Sequence, residues 1–329
     1  MNYKSLAISI LLLLAVGFVY SKFKINLDIN DKREDLDIIK KYLLDESDHY
    51  TLDQLSSIKK PILWIHLEYN KNSRKWYSFG SRNSHELNQD YLYLTLRSII
   101  NNCGNDFHVV MIDDDSFKKL LSTWKIDLSI ISNPQKAYFR SLGLTRLLHT
   151  YGGLLIEPSM IMFKSLYKVY RNVIDTRMMC VGEFPNTSTD ANVMHFMPSM
   201  KFIGCVKNCE VMHEFSNHLE HLFSNDYTEN INCENLINKW LFNKVTMNQI
   251  KYIDGKYLGV KDEDNKLVNL DMLMSETKID FDKSMLCLYV PKEELLKRNA
   301  HNWYVHLNEK EALLARNNIG KYLLLSNDK

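Results

Sequence analysis

YGGLLIEPSMIMFKSL, residues 151–166, decides how this chain is read. Two glycines follow a tyrosine, an apolar run comes next, Glu157-Pro158-Ser159 breaks it, and the apolar run resumes. Just upstream, AYFRSLGLTRLLHTYGG (137–153) has apolar residues at helical spacing and a Gly-Gly stop. The two together predict a helix that turns sharply into a buried strand, LLIEPSMIMF (154–163), with a polar interruption.

Working outward, the same alternation recurs. PILWIHL (61–67) is an apolar, β-rich run headed by proline, which reads as a buried strand. YLYLTLRSIINNCG (91–104) is an amphipathic helix with a glycine stop. FHVVMI (107–112) is a second buried strand, ending in DDDSF, and SFKKLLSTW (116–124) a short helix. Strand, helix, strand, helix, strand is the pattern of a parallel α/β sheet. Such sheets bind ligands beyond the carboxyl ends of their strands. Three polar clusters follow strand ends here: His66 to Asn70, Asp113 to Ser116, and Glu157 to Ser159. In the second half CVKNCEVMHEFSNHLEHLF (205–223) reads as helix, LCLYVP (286–291) as strand and HNWYVHL (301–307) as a second, aromatic strand. A helix from about Glu309 closes the chain.

The composition is that of an ordinary globular protein. The 329 residues are 45% hydrophobic and 25% charged, with 11 glycines, 6 prolines and a formal net charge of +1. Without a basic excess there is no electrostatic draw to nucleic acid, and that class of function is set aside. The N-terminus departs from this pattern. LAISILLLLAVGFVY (6–20) carries no charge, with lysines on both sides. A spanning helix needs about 20 apolar residues, with roughly 17 as the lower limit. The run therefore reads as a short transmembrane anchor over 5–21, behind a tail of residues 1–4. The competing reading is a cleaved signal peptide ending near Val19-Tyr20-Ser21. The short tail favours a type II, single-pass arrangement in a Golgi-, ER- or virus-type membrane. Residues 22–57 read as a stem, or equally as the first helix of the domain, which occupies 58–329. The six cysteines allow 15 full pairings if they face an oxidising lumen. Asn186-Thr187-Ser188 is a glycosylation sequon that matters only there.

Helix, Tyr-Gly-Gly, strand and acidic break, in this order after PILWIHLEYN and FHVVMIDDDSF, resembles the glycosyltransferases with a DXD sugar-binding region. These are akin to the α-1,6-mannosyltransferase initiating enzymes and the capsular polysaccharide transferases. The match covers roughly residues 58–200. NSRKWYSFGSRNSHELNQ and VPKEELLKRNAHNWY are similar to a divergent branch associated with large DNA viruses. The resemblance implies a GT-A fold, a mixed but mainly parallel sheet flanked by helices. It also implies transfer of a sugar from a nucleotide-sugar to a glycan or glycoprotein acceptor, aided by Mn²⁺ or Mg²⁺.

Chemistry explains why that family needs its acids. The donor leaves as a diphosphate, and a divalent ion neutralises the charge that builds on it. Two carboxylates at i and i+2 of an extended segment point to one side and can hold such an ion. Here the positions are Glu157 and Ser159, so the candidate metal site keeps one carboxylate and one hydroxyl. Glu157, Asp113 and Asp115 are the candidate catalytic acids. His66, Arg82, Asp114, Arg140 and Ser159 are candidate donor contacts, the two arginines as metal-free partners for a diphosphate. A second departure lies in the helix before Tyr-Gly-Gly. There the family's Asp and Arg correspond to Ser141 and Leu144, and the nearby Arg140 and Arg146 do not restore the pattern.

Each of these residues also has a plainer reading. Asp113–Asp115 would cap the succeeding helix, His66 would be a satisfied buried histidine, and the arginines would make surface ion pairs. Trp64 and Trp76 would pack in the core rather than stack on a sugar. Cys205, Cys209 and His213 would be core cysteines and an exposed histidine rather than zinc ligands. At the level of the whole protein, the alternative to a transferase is a domain that keeps the scaffold, binds glycan or a protein partner, and does not turn over.

Overall fold

The computed structural model describes residues 42, 60–68, 89–186, 194–225 and 233–327. The chain divides into Met1–Leu43 and Leu44–Lys329, and the strands and helices named below belong to the second unit. The apolar segment 5–21, the stem, Trp76, Arg82 and Thr187-Ser188 lie outside the described residues. Among the described residues no helix is long and apolar enough to cross a membrane.

The first half alternates as its periodicity predicts. β1 (Ile62–His66) leads to α1 (Asp90–Cys103), β2 (His108–Ile112), α2 (Ser116–Leu120), α3 (Gln135–Tyr151) and β3 (Gly153–Ile156). After these come β4 (Met160–Met162), α4 (Tyr167–Thr176), β5 (Met179–Pro185), β6 (Phe196–Cys205), α5 (Glu210–Asn225), α6 (Cys233–Thr246) and β7 (Ile250–Ile253). The chain continues through α7 (Leu270–Met274), β8 (Cys287–Tyr289), α8 (Lys292–Lys297), α9 (Glu309–Leu314) and α10 (Asn318–Asn327).

The main sheet has the order β2-β1-β3-β6-β5-β7. β1 runs parallel to β2 and β3, and β5 runs parallel to β7, while β6 is antiparallel to both β3 and β5. One reversed strand in the middle therefore leaves the carboxyl ends of the other five on one edge. The protein is a mixed α/β domain with a mainly parallel sheet. Ile62, Trp64, Val110, Ile112, Leu155, Val181 and Ile203 pack in one continuous core with Leu142 and Leu147 of α3 and Phe215 and Leu219 of α5. The alternate residues Leu63, Ile65, Leu154 and Ile156 are buried on the opposite face. Burial on both faces explains why these strands read as unbroken apolar runs.

Several sequence readings are corrected. Residues 154–163 are not one strand. β3 stays in the main sheet, the chain turns at Pro158–Ser159, and β4 pairs antiparallel with β8 in a separate two-stranded sheet. Proline has no N–H to continue the ladder, and α1 captures the segment beyond it. Thr95 donates to the Pro158 carbonyl at 2.6 Å, Ser98 accepts from the Met162 N–H at 2.9 Å, and Asn102 donates to the Met162 carbonyl at 2.9 Å. Three polar side chains on one helix face thus hold the rerouted strand.

Residues 302–306 form a 3₁₀ turn rather than a strand. Two helices, not one, close the chain. Cys205 ends β6, and α5 begins only at Glu210, so Cys205 does not share a helix face with Cys209 and His213. Cys103, Cys180, Cys205, Cys209 and Cys287 are buried free thiols.

Candidate functional site

The carboxyl edge of the sheet is lined with charge. His66 ends β1, Asp113–Asp115 come directly after β2, and Glu157 directly after β3. Ile65 pairs with Ile156, and Ile156 pairs with Phe202, so Lys201 of β6 joins the same edge.

Arg140, only 6% exposed, projects from α3 into this edge. Its Nε and Nη2 donate to the two oxygens of Asp114, both at 2.7 Å. Nη1 lies 3.0 Å from Glu68 Oε2. The Asp114 carboxylate also meets His66 Nε2 at 3.0 Å, and the His66 ring stacks on Phe117. Burial works to raise Asp114, but hydrogen bonds from Arg140 and His66, with their charges, outweigh it and hold the carboxyl well below its usual range. For Arg140 the balance likewise favours charge, since Asp114 and Glu68 overcome the cost of burial. The guanidinium is thus committed to two carboxylates and is not presented to a ligand.

An acid titration should reveal this pair. Asp114 has a depressed folded value, so its contribution is present above the unfolded value, about 4, and is lost as pH falls below it. Wild-type stability should drop steeply below about pH 4. Asp114→Asn should show a shallower slope over that window, measured as urea midpoint against pH, and an unchanged slope would remove Asp114 from the account.

Asp113 is engaged within its own turn. Its Oδ1 accepts from the Asp115 N–H at 3.1 Å, the Ser116 N–H at 2.9 Å and the Ser116 hydroxyl at 2.7 Å. Asp115 occupies the cap position of α2 but makes no side-chain cap bond, and it is exposed. The capping that the sequence suggested is therefore done by Asp113. Of the acidic triplet, only Asp114 joins the charged cluster.

Glu157 has a cation already. Lys292, at the start of α8, places its Nζ 2.6 Å from Glu157 Oε2. Burial works to lower Lys292, but the charges of Glu157 and Glu68 prevail, and the ammonium is held above its usual value. Lys201 Nζ sits 5.5 Å from the centre of the Tyr289 ring. Its burial penalty too is outweighed, by Tyr289, Glu234 and Glu157. Lys292 and Glu68 line a small pocket with Leu67, Gln89, Leu92 and Pro158. Its volume is about 30 Å³, room for one or two waters. The Tyr91 hydroxyl is fully buried, lies within the field of Tyr289 and Glu157, and has no hydrogen-bond partner among the described residues.

Ser159 is elsewhere. It is fully buried, and its hydroxyl donates to the Val290 carbonyl at 2.7 Å. The expectation that Glu157 and Ser159 point to one side of an extended segment fails, because the chain turns between them. Ser159→Ala should leave an unmet carbonyl and cost about 1–2 kcal/mol in a urea melt. Such a variant should leave any Mn²⁺ response unaltered, and a Mn²⁺-specific loss would put the hydroxyl back at a metal.

The donor set does not fit a divalent cation. Glu157 is paired with an ammonium, the Ser159 hydroxyl is buried against a carbonyl, Asp113 is spent on its turn and Asp114 on Arg140. Among the described residues no group of three or more His, Cys, Asp or Glu side chains is placed to hold a metal ion. In α3 the Ser141 hydroxyl donates to the Ala137 carbonyl, and Arg146 pairs with Glu220 away from the edge.

Sequence reasoning missed Lys292, Lys201, Tyr289 and Tyr91, and it covered Glu68 only as part of the cluster from His66 to Asn70. The segment VPKEELLKRNAHNWY stands out for its resemblance, yet nothing in its spacing assigns Lys292 to Glu157, 135 positions upstream.

No family model matches the chain, and no curated protein does. Solved structures do match. The glycosyltransferase GlyE of Streptococcus pneumoniae TIGR4 aligns over 60% of this chain and 46% of its own, with 9% identity and a TM-score of 0.37. A galactosyltransferase, LgtC, in complex with donor and acceptor sugar analogues, aligns over 60% of this chain and 74% of its own, with 9% identity and a TM-score of 0.33. The PaToxG glycosyltransferase aligns over 67% and 80%, with 12% identity and a TM-score of 0.34. The chain thus spans less than half the length of the pneumococcal protein. All three are similar to this chain, but at these values no residue role passes from them to it.

Proposed function

We propose that the Leu44–Lys329 unit is a glycosyltransferase-like domain that binds a nucleotide-sugar at the carboxyl edge of its sheet. One observation carries this reading. Glu157 stands at the end of β3, beside the ends of β1 and β2, where a mainly parallel sheet gathers ligand-binding groups. The resemblance of residues 58–200 to the transferases supplies the ligand class, with a glycan or glycoprotein as acceptor. A GT-A architecture agrees with the single reversed strand in an otherwise parallel sheet. The apolar segment ahead of the domain suits a type II membrane anchor.

The geometry also favours a second reading, a domain that binds and does not turn over. The Lys292–Glu157 pair and the buried Ser159 occupy the two positions where a catalytic metal would be held.

The test is the melting temperature of the full-length protein against a panel of nucleotide-sugars, together with assay of sugar transfer and donor hydrolysis. A ligand raises stability according to its concentration over its dissociation constant. A shift with turnover supports an enzyme. A shift without turnover supports the binding reading. No shift with any donor would sink both.

A further inference from the structure

The chain places lysines where the resembled enzymes place a metal. Glu157 has Lys292 Nζ at 2.6 Å. Lys201 comes in from β6, next to the Phe202 that pairs with Ile156, and it lies in the field of Tyr289, Glu234 and Glu157. Two ammonium groups thus stand beside the end of β3, Lys292 paired with Glu157 and Lys201 next to the Tyr289 ring. Glu157 is 22% exposed and Lys292 15% exposed, so the pair is sheltered but still reached by solvent. The pocket that Lys292 lines holds only a water or two, so a diphosphate would reach the ammonium from solvent and not from within that pocket.

We propose that Lys292 and Lys201 bind the diphosphate of a nucleoside diphosphate without a metal, Lys292 exchanging the Glu157 carboxylate for a phosphate oxygen. This rests on the nucleotide-sugar reading above and deepens it. The physical argument is one of mobility and charge. Arg140, the other cation of the edge, is a rigid fork already satisfied by Asp114 and Glu68. A lysine is a compact charge on a flexible stem, able to leave one anion for another within a few ångströms. Glu157 then has a role opposite to that of a metal ligand. It holds Lys292 in place when no ligand is present, and it competes with phosphate for it. The Tyr91 hydroxyl, near the same carboxylate, lacks an acceptor among the described residues, and buried hydroxyls are ordinarily matched.

The experiment is titration calorimetry on the full-length protein with pyrophosphate, UDP and GDP, in EDTA and in Mn²⁺. Binding of at least one probe in EDTA is expected. Lys292→Gln and Lys201→Gln should each weaken it about tenfold, the loss of one charge-assisted contact. Lys292→Arg should retain most of the affinity. Glu157→Gln should tighten binding in EDTA a few-fold, because it removes the competitor. The ligand-free melting temperature of each variant separates weakened binding from failed folding. Binding that requires Mn²⁺ and is lost in Glu157→Gln would overturn the inference and leave the transferase reading standing. Binding in EDTA that neither lysine affects would likewise overturn the inference alone. Absence of binding by all three probes in both buffers would overturn the inference together with the nucleotide-sugar reading.

Discussion

Replacing Arg140 by methionine is expected to cost about 3–5 kcal/mol of folding stability. The side chain is almost fully buried and lies between Asp114 and Glu68, whose side chains are 22% and 15% exposed. Methionine keeps much of the packed stem but deletes the whole fork. Two sheltered carboxylates then lose the cation that joins them, and Asp114 keeps His66. Removing one partner of a buried charge cluster costs more than the cluster contributes, because the remaining charges stay in a poor solvent. Arg140→Lys restores the charge but cannot bond Asp114 with two parallel donors and reach Glu68 as well, so it should recover only part of the loss. Urea unfolding near neutral pH measures both. A cost below about 1 kcal/mol for the methionine variant would mean that the cluster is more solvated than its burial indicates.

Gly153→Ala is expected to cost about 3 kcal/mol or more. Gly153 opens β3 with φ of +109°, in the region that L-residues avoid. A Cβ there would stand 2.5 Å from the Ile62 carbonyl oxygen and 2.9 Å from the Trp64 indole nitrogen. The first is backbone of the neighbouring strand and cannot step aside without opening the β1–β3 ladder. The second is itself fixed, since the Trp64 N–H donates to the Gly152 carbonyl at 2.9 Å. The Gly153 N–H is tied down as well, because it donates to the Tyr170 hydroxyl, which in turn donates to the Cys205 carbonyl. Gly143→Ala offers a contrast. The nearest atoms to its new Cβ are side-chain atoms of the Phe117 ring, at 3.0 Å, and alanine favours a helix interior, so the cost should be smaller. Equal losses for the two variants would show that the Gly153 backbone is not the constraint described.

The legibility of the fold depends on where its signals are local. Apolar runs of strand length, a glycine stop at Gly104 and the glycine pair at 152–153 lie within a few residues of what they specify, so β1, α1, β2, α3 and β3 could be read directly. Proline at 158 announced a break but not its outcome. That β4 leaves the sheet for β8 depends on Thr95, Ser98 and Asn102 and on residues 287–289, all distant in sequence. HNWYVHL has strand composition yet forms a 3₁₀ turn, a case of tertiary context overriding propensity.

The candidate site divides the same way. Its place was determined by the sequence, because a parallel α/β alternation puts strand ends on one edge, and His66, Asp114 and Glu157 lie at strand ends. Which acid meets which base was decided only by the tertiary structure. Adjacent Asp113, Asp114 and Asp115 have the same chemistry and three different fates, a turn cap, a buried ion pair and an exposed position. Arg140 reads in the sequence as a ligand contact and proves committed to Asp114 and Glu68. Lys292 carries no sequence assignment and proves to be the partner of Glu157. Charge pairing depends on distances of 3 Å or less. A sequence specifies such distances only after α3, β6 and α8 have packed, since the energy that selects them is the cost of leaving a buried charge alone.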